Sequence, residues 1–371
     1  MRNIKDIKRI VVKAGSTSLC DDNGQINKEK ILQLVLQISK LKRQGYTVVL
    51  VSSGAIAAGM GELGLDKKPK TLPEKQALAA IGQAHLMQIY EEVFQIFNMR
   101  CAQVLLNHDD FDDRQRLKNL SYTLHALLDY DVVPIINEND ALAVEEIKFG
   151  DNDTLSALIV PAADAQLLIL VSDIDGLYTA NPHTHQDALF LDYVESVNEK
   201  IISYAGESTS HIGTGGMATK IKAAKMVNDY GCHMCIVNCH KENSILNALD
   251  HEGTWFNASQ RLNAKMHWLA YRTKVKGSII VDEGCKEALL KHTSLLPKGI
   301  IDVSGRFFNG QAVNIIDSDN HLIAKGLVNY SSDEIKLIKG LKTSEIENVL
   351  NYKDYDEVIH ANNMYINRGN K

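Results

Sequence analysis

The chain has 371 residues, more than one ordinary hydrophobic core absorbs, so two or three domains are expected. Hydrophobic residues make up 45% and charged residues 23%, a balance that excludes disordered and fibrous classes. With 40 basic against 46 acidic side chains the net charge is −6, and no global positive field recruits nucleic acid or an anionic membrane.

Residues 1–10 are basic and broken by charges, without the apolar stretch a signal peptide needs. Residues 9–13 read as a buried strand ending just before Gly15. Asn27 is a candidate cap for a helix whose apolar residues Ile31, Leu34, Val35, Ile38 and Leu41 share one face, and Gly45 closes it. A strand at 47–51 follows, and Pro73 suits the first turn of a long helix reaching about residue 97. Further strands are predicted at 102–106, 132–136, 167–171 and 234–237, separated by helices at 114–128, 154–163 and 217–229. The greasiest stretch, 155–171, contains Pro161, Asp164 and Gln166 and reads as helix, turn and strand, not as a membrane span. Such alternation predicts a mostly parallel sheet with helices on both faces and a ligand beyond the carboxyl ends of its strands.

The pattern changes near residue 262: residues 263–276 read as a connector, and 277–371 as a small β-rich domain. Strands at 278–281, 300–303 and 312–316 and a helix at 283–291 are predicted there. This segment carries 11 basic against 13 acidic residues and lacks a Lys/Arg cluster, which opposes nucleic-acid binding. The six cysteines do not form a disulfide framework in a chain of this length. Cys232, Cys235 and Cys239 have superficial zinc spacing, but Ile236-Val237 is strand composition, and buried cysteines serving as small hydrophobes are the better reading. Asp109-Asp-Phe-Asp-Asp113 lacks the glycine and closing glutamate of a calcium loop and reads as a helix-start turn.

Five loops at the predicted strand ends carry chemistry. Lys13-Ala-Gly-Ser-Thr-Ser18 combines a point charge, hydroxyls and a glycine that lets backbone N–H groups approach a polyanion. Ser52-Ser-Gly-Ala-Ile-Ala-Ala-Gly59 opens a helix whose N-terminus favours an anion, although either serine equally suits a simple cap. Asn137-Glu-Asn-Asp140 and Gly150-Asp-Asn-Asp-Thr154 concentrate carboxylates and amides, the combination that clamps the ammonium and carboxylate groups of an amino acid. Val171-Ser-Asp-Ile-Asp-Gly-Leu-Tyr178 leaves a strand into a glycine turn. Thr214-Gly-Gly-Met-Ala-Thr-Lys220 sets two glycines before a helix with lysine in its first turn, a phosphate cradle that matches neither the Walker pattern nor the dinucleotide fingerprint.

Taken together and in this order, the five loops resemble the amino acid kinase family over essentially the whole chain. The segments 53–59, 134–141, 149–155 and 213–220 are most similar to its glutamate-phosphorylating members. Ala14, inside the first loop, replaces a residue that is often bulkier. Leu296-Pro-Lys-Gly-Ile300 and Gly326-Leu-Val-Asn-Tyr-Ser-Ser332 resemble the PUA domain that follows the kinase domain in many bacterial members. PUA-like domains elsewhere bind RNA, a function the acidic balance here opposes.

The resemblance implies an α/β fold: a three-layer αβα sandwich of the amino acid kinase type with a mostly parallel sheet, plus a small C-terminal β-rich PUA-like barrel. The domains then span 1–262 and 277–371. It implies ATP with Mg²⁺ as cofactor and L-glutamate as acceptor, in the cytoplasm, with proline as feedback inhibitor and a homo-oligomeric assembly. Lys13, Ser172, Asp173, Thr214, Gly215, Gly216, Met217, Ala218, Thr219 and Lys220 match ATP-binding positions. Ser53, Asp140 and Asn152 match glutamate-binding positions, with Asn137 and Asp151 as neighbours. Lys13, Lys220 and Asp173 are the expected catalytic set, Asp173 pairing with both lysines, and Mg²⁺ is expected to bind through ATP phosphates without a dedicated protein site.

Overall fold

The structure, a computed structural model, describes residues 2, 4–67, 69–107, 109–142, 152–182, 184–205, 216–259 and 264–367. The chain divides into two compact units, Met1–Arg261 and Leu262–Lys371.

The first unit is built on strands β1 (Arg9–Ala14), β2 (Thr47–Val51), β3 (Arg100–Leu106), β4 (Val132–Glu138), β5 (Leu167–Ser172), β6 (Leu177–Tyr178), β7 (Phe190–Leu191), β8 (Tyr193–Val194), β9 (His233–Asn238) and β10 (Thr254–Phe256). Eight of them form one sheet in the order β3-β4-β2-β1-β5-β9-β10-β8, and β6 and β7 pair separately. Every pairing in the large sheet is parallel except that of β9 with β10. β1 sits at the centre, with Lys13 in register with Val51 on one side and Leu170 on the other.

The period-2 alternation of β1 decides which side chain meets which layer. Ile10, Val12 and Ala14 join Leu167, Ile169 and Val171 in the core beneath the helices Lys28–Arg43 and Leu72–Ile96. Val11 and Lys13 therefore turn to the other face, where the helix Asn152–Ala163 lies on β1 and β5 and packs against the helix Met217–Asp229. Local chemistry starts and stops these elements as the sequence predicts. Asn27 Oδ1 accepts from the Glu29 and Lys30 amides, and Thr71 and Glu74 form a capping box with Pro73 in the first turn. Asp113 caps the helix Arg114–Asp129 by accepting from the Gln115 and Arg116 amides, so the acidic run is helix-start chemistry. Cys232 and Cys235 are free and fully buried, and burial pushes both thiols up, Cys235 to about 12.

The second unit is a five-stranded mixed sheet of β11 (Val275–Val281), β12 (Ile300–Gly305), β13 (Ala312–Ile316), β14 (Leu322–Leu327) and β15 (Met364–Ile366), ordered β12-β11-β13-β14-β15. Its own core includes Ile279, Phe307, Ile315, Tyr330 and Ile335. Within the expected connector, Ala264–Tyr271 forms a helix that packs on β14 and β15 and buries His267 and Leu269. An eight-residue helix is marginal on its own and draws its stability from such packing, and it has too few turns to show a periodic face in the sequence.

Two glycines set how closely the helices Ala55–Glu62 and Leu72–Ile96 approach. A Cβ on Gly59 would stand 2.0 Å from the Leu78 carbonyl oxygen, and one on Gly82 would stand 1.9 Å from that of Ala55. Gly59, in the loop read as an anion cradle, thus serves backbone contact between helices. Gly59→Ala should cost about 1–3 kcal/mol by overpacking. Gly61→Ala, where a Cβ meets nothing within 4 Å, should be neutral or stabilising by about 0.5–1 kcal/mol through helix propensity. Chemical denaturation of the two variants tests the contrast, and equal effects would refute it.

Candidate active site at the strand ends

The carboxyl ends of β1, β2, β4 and β5 converge on the start of the helix Asn152–Ala163, where two consecutive residues reach in different directions. Asp153, with no solvent exposure, lies between two ammonium groups. Its Oδ1 is 2.6 Å from Lys13 Nζ and its Oδ2 is 3.0 Å from Lys220 Nζ. Thr219 Oγ1 also donates to Oδ2 at 3.0 Å. Both lysines are themselves buried, Lys13 at the end of β1 and Lys220 in the first turn of the helix Met217–Asp229. Burial alone would push the Asp153 carboxyl up. The attraction of Lys13 and then Lys220, with their hydrogen bonds, outweighs burial and holds the carboxyl below the ordinary aspartate range.

Asn152 reaches the other way. Its Nδ2 donates to the Ser52 carbonyl at 2.6 Å and to Ser53 Oγ at 2.7 Å, with Asn137 Oδ1 at 3.3 Å. Asn137, buried at the end of β4, accepts from the Glu138 amide at 2.9 Å and donates through Nδ2 to Gln83 Oε1 at 2.8 Å. Neither serine of the second loop caps the following helix. Gly54 takes the N-cap position with φ +97°, and Ser52 Oγ turns instead to the buried hydroxyl of Tyr90 at 2.8 Å. Asp140 is half-buried in the turn after β4, where the Asn139 amide donates to the Leu106 carbonyl.

The first loop leans on β5. Ser18 Oγ donates to the Val171 carbonyl, and a Cβ on Gly15 would stand 3.2 Å from Lys13 Nζ, so the glycine keeps the space beside that ammonium open. Ser172 is buried at the end of β5 and donates to Asp173 Oδ1 at 3.1 Å. Gly216 and Ala218 are exposed and Met217 is half-buried at the start of their helix. Asp151, Thr214 and Gly215 lie outside the described residues.

One expectation is corrected. Asp173 does not pair with the lysines: it stands exposed one residue beyond β5, and its carboxylate accepts from Ser172. Asp153 has that role because it occupies the buried first turn of a helix lying on β1 and against the Lys220 helix. Gln83 and Tyr90 join the site from the middle of the long helix Leu72–Ile96, where no local motif marks them in the sequence. Asp153 had a local signal, a third polar residue in the 150–154 loop, but nothing local says which carboxylate turns inward.

The amino acid kinase family matches residues 8–238, and the PUA domain matches residues 277–350. Glutamate 5-kinase from Caldanaerobacter subterraneus subsp. tengcongensis is 48% identical over 98% of this chain and 99% of its own. Glutamate 5-kinase from Carboxydothermus hydrogenoformans is 48% identical over 99% of this chain and 100% of its own. Among solved structures, carbamate kinase from Giardia lamblia bound to AMP-PNP is similar in fold, with a TM-score of 0.50 at 16% identity over 68% of this chain and 99% of that one. Among the described residues no helix is long and apolar enough to cross a membrane.

Asp153→Asn should cost about 3–5 kcal/mol, the range for leaving buried charges without their partner. A depressed carboxyl contributes stability that is complete above its ordinary value of 3.8 and lost as pH falls below it. Unfolding free energies measured across acid pH should therefore fall less steeply for Asp153→Asn than for the parent, and parallel curves would contradict the ion-pair assignment. With a mostly parallel central sheet and a family match over most of the first unit, the chain belongs to the amino acid kinase family.

Proposed function

We propose that this chain transfers the γ-phosphoryl group of ATP to the γ-carboxylate of L-glutamate, giving ADP and L-glutamyl 5-phosphate, the first step of proline synthesis. The observation that carries the reading is the meeting of a lysine-rich network and an amide-rich network at Asn152 and Asp153, in a chain 48% identical to glutamate 5-kinases over nearly its whole length. On this reading the lysine side faces ATP and the amide side faces the amino acid.

A side-chain carboxylate with an ordinary pKa of about 4.3 is already ionised at neutral pH, so the acceptor needs no general base. The barrier is electrostatic, an anion approaching a polyanion in line. Lys13 and Lys220 neutralise charge on the transferring oxygens, and Asp153 holds both ammonium groups in place before the substrates arrive. Backbone N–H groups beside Gly15 hold phosphate oxygens, and Ser172, Asp173 and the segment from Thr214 to Lys220 line the nucleotide. Mg²⁺ on the phosphates would supply further charge neutralisation. The residues suit a metal held chiefly by phosphate and water, because Asp153 has both oxygens committed to lysines and Asp173 is the exposed carboxylate at the end of β5.

Ser53, Asn152 and Asn137 line the amino acid, and Asp140 with Asn137 suits its free α-ammonium, which disfavours an acylated substrate. The same reading places the enzyme in the cytoplasm as a homo-oligomer inhibited by proline. Leu63, Ile81 and Ile96, exposed on or beside two adjoining helices, supply apolar surface for assembly.

Hydroxylamine trapping of acyl phosphate with ATP and Mg²⁺ should give product from L-glutamate and far less from aspartate or N-acetylglutamate. Equal yields across the panel would overturn the acceptor assignment. Lys13→Ala or Lys220→Ala should each lower kcat by about 10²–10³, the range for losing one preorganised charge-stabilising donor.

A further inference from the structure

We infer that Gln83 is a positioning residue for the amino acid acceptor, setting the orientation of the substrate-side amides through Asn137. The inference rests on the acceptor reading and extends it to a residue that no strand-end loop contains.

Gln83 lies in the helix Leu72–Ile96, 54 positions before Asn137, yet its Oε1 accepts from Asn137 Nδ2 at 2.8 Å. Asn137 is 2% exposed, so an amide hydrogen left without a partner there would cost a large share of a buried hydrogen bond. An amide is nearly symmetric in shape and opposite in hydrogen-bonding sense at its two ends, so neighbouring groups decide which way it faces. Here every neighbour agrees. Gln83 presents an acceptor to Asn137 Nδ2, while the Glu138 amide and Asn152 Nδ2 present donors to Asn137 Oδ1 at 2.9 and 3.3 Å. Rotating Asn137 by half a turn would set donor against donor on one side and acceptor against acceptor on the other. The same polarity runs on to Asn152, whose two Nδ2 hydrogens go chiefly to the Ser52 carbonyl and Ser53 Oγ and reach Asn137 Oδ1 as a longer, shared contact.

Backbone packing brings Gln83 into reach. Gly82, the preceding residue, lets its helix close on the Ala55 carbonyl, and Gly59 does the same opposite Leu78. The amide relay thus begins where two helices touch through glycines and ends at the serine that follows β2.

A double-mutant cycle tests this. Gln83→Leu, similar in size and without an acceptor, should raise the KM for L-glutamate about tenfold, the factor that corresponds to 1.4 kcal/mol, and leave the KM for ATP within about twofold. In an Asn137→Ala background, Gln83→Leu should change the KM for L-glutamate by less than about twofold, because its effect passes through the missing amide. If the Asn137→Ala proteins turn over too slowly, the rise in Tm on adding L-glutamate replaces KM as the readout. Independent, multiplicative effects would overturn the relay, as would a Gln83→Leu enzyme with parental KM or with both substrate KM values raised alike. Parent enzyme that traps no glutamyl hydroxamate would refute the acceptor reading separately, and the cycle is then scored on whichever amino acid the panel shows to be phosphorylated.

Discussion

A single buried carboxylate between two buried ammonium groups organises the first unit. Asp153 has no exposed surface, and an isolated anion in that position would be neutralised or expelled. Lys13 and Lys220 make its burial tolerable, and Asp153 in turn makes theirs tolerable. Removing any one member leaves charge uncompensated in a low-dielectric layer. The triad also ties together elements far apart in sequence: the central strand β1, the helix Asn152–Ala163 and the helix Met217–Asp229.

Adjacent residues at one helix start divide the labour. Asp153 points into the ionic network, and Asn152 points into a chain of neutral amides and hydroxyls that runs through Asn137 to Gln83 and through Ser52 to Tyr90. Charge is thereby kept on one side and directional hydrogen bonding on the other. That separation suits the joining of two anions: neutralisation is needed where phosphate charge gathers, and shape with donor direction where a small amino acid is held. The overall charge of −6 fits the same economy, since the positive charge at the site is confined to a few buried lysines.

The second unit is stabilised by its own means. A capping box joins Ser331 and Glu334, the Tyr330 hydroxyl reaches the Tyr355 carbonyl, and Lys286 pairs with a buried Asp317 that also accepts backbone amides of Asp319 and His321. The Asp317 carboxyl is held down to about 2, first by the hydrogen bond from the His321 amide. These contacts close a turn and anchor a helix, and they give the Asp317 and Glu334 carboxylates a local structural role.

Most of the architecture of the first unit is legible in the sequence because it follows from short-range rules. The short apolar run Ile10-Val11-Val12 marks a buried strand, Asn27 and Asp113 mark helix starts through side chains that can reach only their own first turn, and Gly45, at φ +93°, marks a helix end. The same rules put Lys13, Ser53, Asn137, Asn152 and Lys220 near strand ends or at helix starts, where a ligand belongs. Tertiary structure decided what these residues do to one another. Asp153 and Asp173 are equivalent as words in a sequence, and only the lie of one helix across β1 buries the first between two lysines while the second remains in solvent. Gln83 has no local mark at all, because a glutamine in mid-helix is ordinary until two glycines bring its helix against the next. Backbone propensity acts over a turn or two, whereas ion pairing and amide orientation depend on groups more than fifty residues away, and that difference in range divides what could be read from what had to be seen.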